Sequence, residues 1–176
     1  LGLIMNRQLT ITSLMEHARK FHGDAEVVSV TADQPLHRYT YREAFARTAR
    51  LANALARFGM RPGERVGTLA WNDYRHFETY YAAACSGYVC HTINPRLFPE
   101  QLVYIINHAE DRYVFLDPDF VALAEGLAPE EVEANECGSG RTKLACVHAG
   151  ERGRIAQLGP IAEDRGRTQE SKRLRR

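Results

Sequence analysis

Beyond Phe120 the chain has no phenylalanine, tyrosine or tryptophan: all seven Phe, all eight Tyr and the single Trp stand at or before that position. A stretch without large apolar side chains cannot bury enough surface to offset the entropy of ordering it. Residues 129–176 are therefore expected to form a weakly structured tail on a folded body, residues 1–128. No apolar run approaches the roughly 20 residues that span a bilayer, so no transmembrane segment is expected. Leu1-Gly-Leu-Ile-Met5, cut short by Asn6-Arg7-Gln8, does not make a secretory signal. The four cysteines (Cys85, Cys90, Cys137 and Cys146) are then expected as reduced thiols in a cytoplasmic protein. Because the chain opens on Leu1, Met5 is the expected start unless a preceding residue is missing.

The overall balance points to no particular partner: 26% charged, 44% apolar and a net charge of +1 are ordinary for a folded domain. The distribution is more telling. Residues 1–120 carry 13 basic and 13 acidic side chains, residues 121–136 five Glu and no base, and residues 137–176 ten Lys or Arg against four acids, with six Gly. The composition changes character where the aromatics end.

Within the body, hydrophobic spacing alternates between strand and helix. Ser13-Leu-Met-Glu16 has the form of a capping box, with Leu14, Ala18 and Phe21 on one face of a short helix that ends at Gly23-Asp24. Val27–Val30 reads as a strand and Gln34-Pro35 as a turn. Thr40-Tyr-Arg-Glu43 is a second capping box, followed by a helical stripe through Ala44, Thr48, Leu51, Leu55 and Phe58, with Gly59 placed for a left-handed cap. After the turn Arg61-Pro-Gly-Glu64, Val66–Trp71 reads as a strand with both faces covered. Asp73 then caps a helix whose inward side is expected to be Phe77, Tyr80, Tyr81 and Ala84. Val89–Ile93 is a strand, and Pro99 opens a helix with Leu102, Ile105, Ile106 and Ala109 inward. Tyr113–Leu116 is the last strand, and Asp117-Pro118 starts a short helix through Leu123 and Ala124. Strands alternating with helices of this length imply a mainly parallel sheet with crossover helices, an α/β layer.

Residues that could carry chemistry have plainer readings. Cys137, Cys146 and His148 could offer three ligands to zinc, but nothing supplies a fourth at the usual spacing. Gly138–Lys143 looks faintly like a phosphate loop, yet it lacks the Gly-Lys-Ser/Thr ending and no apolar strand precedes it. Cys85 and Cys90 read as small core residues. His76, His91 and His108 fall at helix ends or on a strand, where packing and capping outrank general-base work. Glu110-Asp111 and Asp117/Asp119 sit at element boundaries, which disfavours paired acid–base catalysis. The basic end Lys172–Arg176 could hold nucleic acid by charge alone, but without an aromatic stacking platform a solvated tail is the expectation and no nucleic-acid partner is assigned.

Three stretches carry a resemblance: Tyr39-Thr-Tyr-Arg-Glu43; Arg61-Pro-Gly-Glu-Arg-Val-Gly-Thr-Leu-Ala-Trp-Asn72; and His91-Thr-Ile-Asn-Pro-Arg-Leu97 with Tyr104-Ile-Ile-Asn-His-Ala-Glu-Asp111. From about Leu9 to about Leu127 the chain resembles the N-terminal region of AMP-forming acyl-CoA synthetases. It looks most like the medium- and long-chain fatty-acid ligases and the related 3-methylthiopropionyl-CoA ligases. The resemblance implies an adenylate-forming enzyme that joins a fatty acid or related carboxylate to ATP with Mg2+. An acyl-adenylate forms, and the CoA thiol then displaces AMP. It also implies a partial N-terminal subdomain that braces the acyl pocket and can form a homodimer contact. The family grips nucleotide with a Ser/Thr/Gly-rich loop ending in Pro-Lys-Gly, a Tyr-Gly-x-Thr-Glu segment, an Asp for the ribose and a C-terminal Lys. None of these stretches occurs here. No catalytic, cofactor-binding or metal residue is therefore assigned, and ATP, Mg2+ and CoA are expected for the full-length family rather than bound tightly by this chain.

The expected function is that of the N-terminal fragment of such a ligase, inactive alone; the alternative is a non-catalytic dimerising or regulatory module on the same scaffold. Past Leu127 the resemblance gives way to an abrupt loss of aromatics with a gain in Arg and Gly, as a shifted reading frame in GC-rich coding DNA would produce. Translating the other frames beyond the Leu127 codon should then reveal a Thr/Ser-Gly-Thr-Thr-Gly-x-Pro-Lys-Gly stretch; if every frame lacks it, the shift is excluded.

Overall fold

The structure, a computed structural model, describes residue 6, residues 8–31 and 34–127, and the strands at 143–146 and 157–160. The chain divides into two compact units, Leu1–Glu64 with Trp71–Cys90, and Arg65–Ala70 with His91–Arg176. Among the described residues no helix is long and apolar enough to cross a membrane.

The first unit packs three helices with a two-stranded ribbon. Helix α1 (Ile11–Phe21) starts one turn before the expected cap: Thr10, not Ser13, is its N-cap, and the Thr10 hydroxyl accepts the Ser13 backbone N–H. Ser13 instead donates its own hydroxyl to the Thr10 carbonyl at 2.7 Å. With Thr10, Thr12 and Ser13 all able to cap, composition alone does not choose among them. Strand β1 (Glu26–Ser29) pairs antiparallel with β2 (His37–Thr40), in register from Glu26 opposite Thr40 to Ser29 opposite His37. The sequence pattern misses β2, since four residues leading into a helix cap show no periodicity of their own.

Helix α2 (Tyr41–Arg57) begins at the expected capping box. The Glu43 carboxylate accepts the Thr40 backbone N–H at 2.8 Å, and Thr40 Oγ1 accepts the Glu43 N–H at 3.3 Å. Its inward residues include Ala44, Thr48 and Leu55, as the stripe predicts. Gly59 follows with φ 79°, a left-handed conformation that side chains beyond Cα resist.

Helix α3 (Tyr74–Cys85) is capped by Asp73 as expected, but its buried face is rotated from the predicted one. Tyr74, Arg75, Glu78, Thr79, Ala82 and Ala83 are buried, Phe77, Tyr81 and Ala84 are only partly so, and Tyr80 is exposed. The apolar pattern misplaces the face because two of its members are charged. Arg75 and Glu78 tolerate burial only because each has an ionic partner.

The second unit is built on a sheet of order β4-β3-β5-β6-β7. Strand β3 (Arg65–Leu69) pairs parallel with β5 (Asp111–Leu116), and the second half of β4 (Val89–Thr92) belongs to this unit. All of β5 except Arg112 is buried, as expected of a parallel strand covered on both faces. Helix α4 (Pro99–Ala109) lays Leu102 and Ile106 onto the sheet, where they join Leu69, Ile93, Val114 and Leu116 in one core. A 3₁₀ turn (Pro118–Phe120) and α5 (Val121–Leu127) close that core with Phe120, Ala124 and Leu127. The mainly parallel α/β reading is correct.

Two further strands lie in the stretch 129–176 that composition marks as weakly structured. β6 (Lys143–Cys146) pairs parallel with β5, and β7 (Gln157–Pro160) pairs antiparallel with β6. The rest of that stretch falls outside the described residues.

Because the capping box satisfies backbone donors at the head of the longest helix, Thr40→Ala should destabilise the protein by about 1 kcal/mol. Denaturant midpoints at unchanged slope would measure it.

Candidate functional site

Helix packing in the first unit and the parallel sheet in the second each bring together residues far apart in sequence, and each juxtaposes buried ionisable groups. In the first unit the residues come from β2, α2 and α3. Arg47 on α2 donates through Nε to Glu78 Oε1 on α3 at 2.6 Å. Glu78 is buried, whereas Arg47 keeps 42% of its side chain in solvent. Burial raises the Glu78 carboxyl above its usual range, while Arg47 and, further off, Arg50 oppose the shift. The same hydrogen bond raises Arg47. Tyr39 lies beside them, its phenol pushed up by burial and then by the Glu78 charge.

Tyr74 forms the floor of this network. His37 stacks on it at 3.7 Å between ring centroids, and the guanidinium of Arg75 stands over it at 4.9 Å. Arg75 donates through Nη1 to Asp73 Oδ2 at 3.1 Å, and Asp73 Oδ1 accepts the backbone N–H groups of Arg75 and His76. His37 is lowered by burial and then by Arg47 and Arg75, and its Nε2 is buried without a hydrogen-bond partner. The Arg47–Glu78 and Arg75–Asp73 pairs give the cluster the chemistry of a helix–helix clamp with an aromatic base.

In the second unit the pair is His91 and Asp111. His91 Nδ1 lies 2.7 Å from Asp111 Oδ2, with the carboxylate side chain fully buried and the imidazole 26% exposed. Burial raises the Asp111 carboxyl, and the hydrogen bond to His91 opposes it. The sequence assigns both residues to packing or element boundaries and does not join them. A β-α-β crossover of twenty positions separates them, and no local spacing rule reports such a contact.

The other candidates fall where packing predicts. His76 Nδ1 contacts Asn72 Oδ1 at 3.1 Å at the start of α3, and burial lowers its pKa. His108, in the last turn of α4, stacks on Tyr104. Cys85 is half-buried at the end of α3, its thiol pushed up by burial. Among the described residues no group of three or more His, Cys, Asp or Glu is placed to hold a metal ion. Cys137, His148, most of Gly138–Lys143 and all of Lys172–Arg176 lie outside the described residues, as do the side chains of Lys143 and Cys146.

Comparison with known proteins bears on the whole body. The family model described as "AMP-binding enzyme" matches residues 14–173. The chain is 50% identical over 133 residues to a 3-methylmercaptopropionyl-CoA ligase of Ruegeria lacuscaerulensis, covering 76% of this chain and 25% of that protein. It is 50% identical over 123 residues to a medium-chain-fatty-acid–CoA ligase of Ectopseudomonas oleovorans, covering 70% and 22%. Among solved structures, the N-terminal domain of FACL13 from Mycobacterium tuberculosis shares the fold with a TM-score of 0.63 at 20% identity, over 79% of this chain and 34% of that one. The chain thus spans about a quarter of the length of the curated relatives it matches.

The Arg47–Glu78 clamp has a definite pH signature. Because burial raises Glu78, the proton it binds favours the folded state: that stabilisation is complete below the unfolded carboxyl value, about 4.3, and fades as pH rises through the folded value. Removing the arginine leaves the buried charge without its partner. Arg47→Ala should cost about 1–3 kcal/mol near pH 7 and much less near pH 4. Thermal melts at both values would read the difference, and an equal loss at each would contradict the assignment.

Proposed function

Since the chain belongs to the AMP-binding enzyme family, we propose that it is the opening scaffold of an ATP-dependent, CoA-using ligase for a fatty acid or related carboxylate, and that it does not adenylate on its own. The observation that carries this reading is half-identity over 133 residues to a relative named a 3-methylmercaptopropionyl-CoA ligase, confined to a quarter of that protein. The medium-chain and long-chain fatty-acid ligases of Ectopseudomonas oleovorans and Thermus thermophilus, 50% and 40% identical, support the same substrate class.

The residues described here do not fit ATP with Mg2+. Magnesium in such sites is held by carboxylates together with phosphate oxygens, and among the described residues three of the four buried carboxylates, Glu78, Asp73 and Asp111, are already engaged by Arg47, by Arg75 and by His91. What the chain contributes is shape. The helices of the first unit are locked by the Arg47–Glu78 pair, and the second unit presents a parallel sheet whose strands end in turns at Asn94-Pro95 and Asp117-Pro118. In open parallel sheets such carboxyl ends are where ligands collect. Activity on a carboxylate, and any homodimer, then require groups supplied elsewhere in a full-length protein.

The test is a graft. Residues 9–127 of this chain would replace the matching segment of the Ectopseudomonas oleovorans ligase, and acyl-adenylate formation would be followed by pyrophosphate exchange. The chimera should adenylate medium-chain fatty acid within about tenfold of its parent, since a scaffold swap should alter the barrier by little more than 1.4 kcal/mol, and the isolated chain should show no exchange. A folded but inactive chimera would overturn the scaffold reading, and exchange by the chain alone would overturn its inactivity.

A further inference from the structure

In the second unit one side-chain pair reaches across a whole strand. His91 is on β4 and Asp111 heads β5, and the strand order places β3 between them. At the crossing point β3 carries Gly67. A Cβ built there would stand 3.0 Å from Asp111 Oδ2 and 3.1 Å from Ile93 Cδ1, closer than such contacts ordinarily come. The missing methyl opens the gap that the imidazole and carboxylate fill, meeting at 2.7 Å.

The two partners see different surroundings. The Asp111 side chain is fully buried, with Oδ1 lacking any hydrogen-bond partner, whereas 26% of the His91 ring is open to solvent. The ring is therefore the solvent-facing member of the pair. The other charged group acting on the carboxyl is Arg65 of β3, whose guanidinium is itself drawn to Glu110 Oε2 at 3.7 Å. His91 is thus the principal source of compensating charge.

We propose that His91, Asp111 and Gly67 form a protonation-dependent clamp that fastens β4 to β5 across β3, tight when the imidazole is charged and slack when it is neutral. An imidazolium neutralises the buried carboxylate directly. A neutral ring can still donate through Nδ1, but the carboxylate charge is then left to the shared Arg65, and a poorly compensated buried charge is costly. The backbone bonds that the clamp guards are adjacent to it: Ile93 N–H donates to the Thr68 carbonyl at 2.9 Å, and the Thr68 hydroxyl reaches the His91 carbonyl at 3.5 Å. Just beyond lies the Asn94-Pro95 turn that leads into α4. The inference does not depend on the ligase reading.

Amide hydrogen exchange of Ile93 in the full chain, corrected for intrinsic rates, tests it. Protection should fall about fivefold or more between about pH 5.5 and about pH 8. The ring ¹⁵N shifts of His91 should titrate with the same midpoint, a readout that needs no variant. His91→Gln keeps an N–H donor facing Asp111 but can neither charge nor titrate, so the pH dependence should vanish and protection should stay near the native chain's lower, high-pH level throughout. Asp111→Asn should also flatten it. Equal Ile93 protection at both pH values in the native chain, or an unchanged slope in His91→Gln, would overturn the clamp.

Discussion

Strand β5 is covered on both faces, and the second unit is organised around that requirement. A strand so placed has no solvent side on which to leave polar groups, so five of its six residues are buried and its backbone bonds go to β3 on one edge and β6 on the other. Helix α4 exists to cover it, contributing Leu102 and Ile106, and the short α5 completes the cover with Ala124 and Leu127. Each fully buried aliphatic side chain adds about 1.5–3 kcal/mol relative to exposure. The one polar residue in this buried row, Asp111, must consequently find its partner from another strand, and Gly67 leaves room for it.

The same rule, that a charge removed from water needs an opposite charge, shapes the first unit differently. There the acid is Glu78 on a helix, and its partner Arg47 comes from the neighbouring helix rather than from across a sheet. Arg47 stays partly hydrated, as a long guanidinium stem allows, so the pair fixes α2 against α3 without a full desolvation cost. Tyr74 gives the network an apolar base on which His37 and Arg75 both rest. These contacts join the buried polar residues of α3 to α2 and to the aromatic base.

The chain belongs to the AMP-binding enzyme family. Relatives about three times its length carry CoA-ligase names, and the part this chain matches is about a quarter of each.

Much of this could be read from the residues alone. The capping box, Gly59 after α2, Asp73 before α3 and Pro99 at the head of α4 each specify a local backbone event through a side chain within a few positions, so spacing reveals them. The alternation of apolar strands and helices likewise determined the parallel α/β architecture. Beyond the α1 cap and the strands past residue 129, what escaped was the strand His37–Thr40, the rotated face of α3 and the union of His91 with Asp111. Each depends on a partner distant in sequence: an antiparallel neighbour twelve positions back, an arginine on another helix, a carboxylate across a strand. Local sequence settled which segments become helix or strand, because those preferences act over one or two turns; the tertiary structure alone decided which charges go inside, because burial is tolerable only where folding delivers the opposite charge.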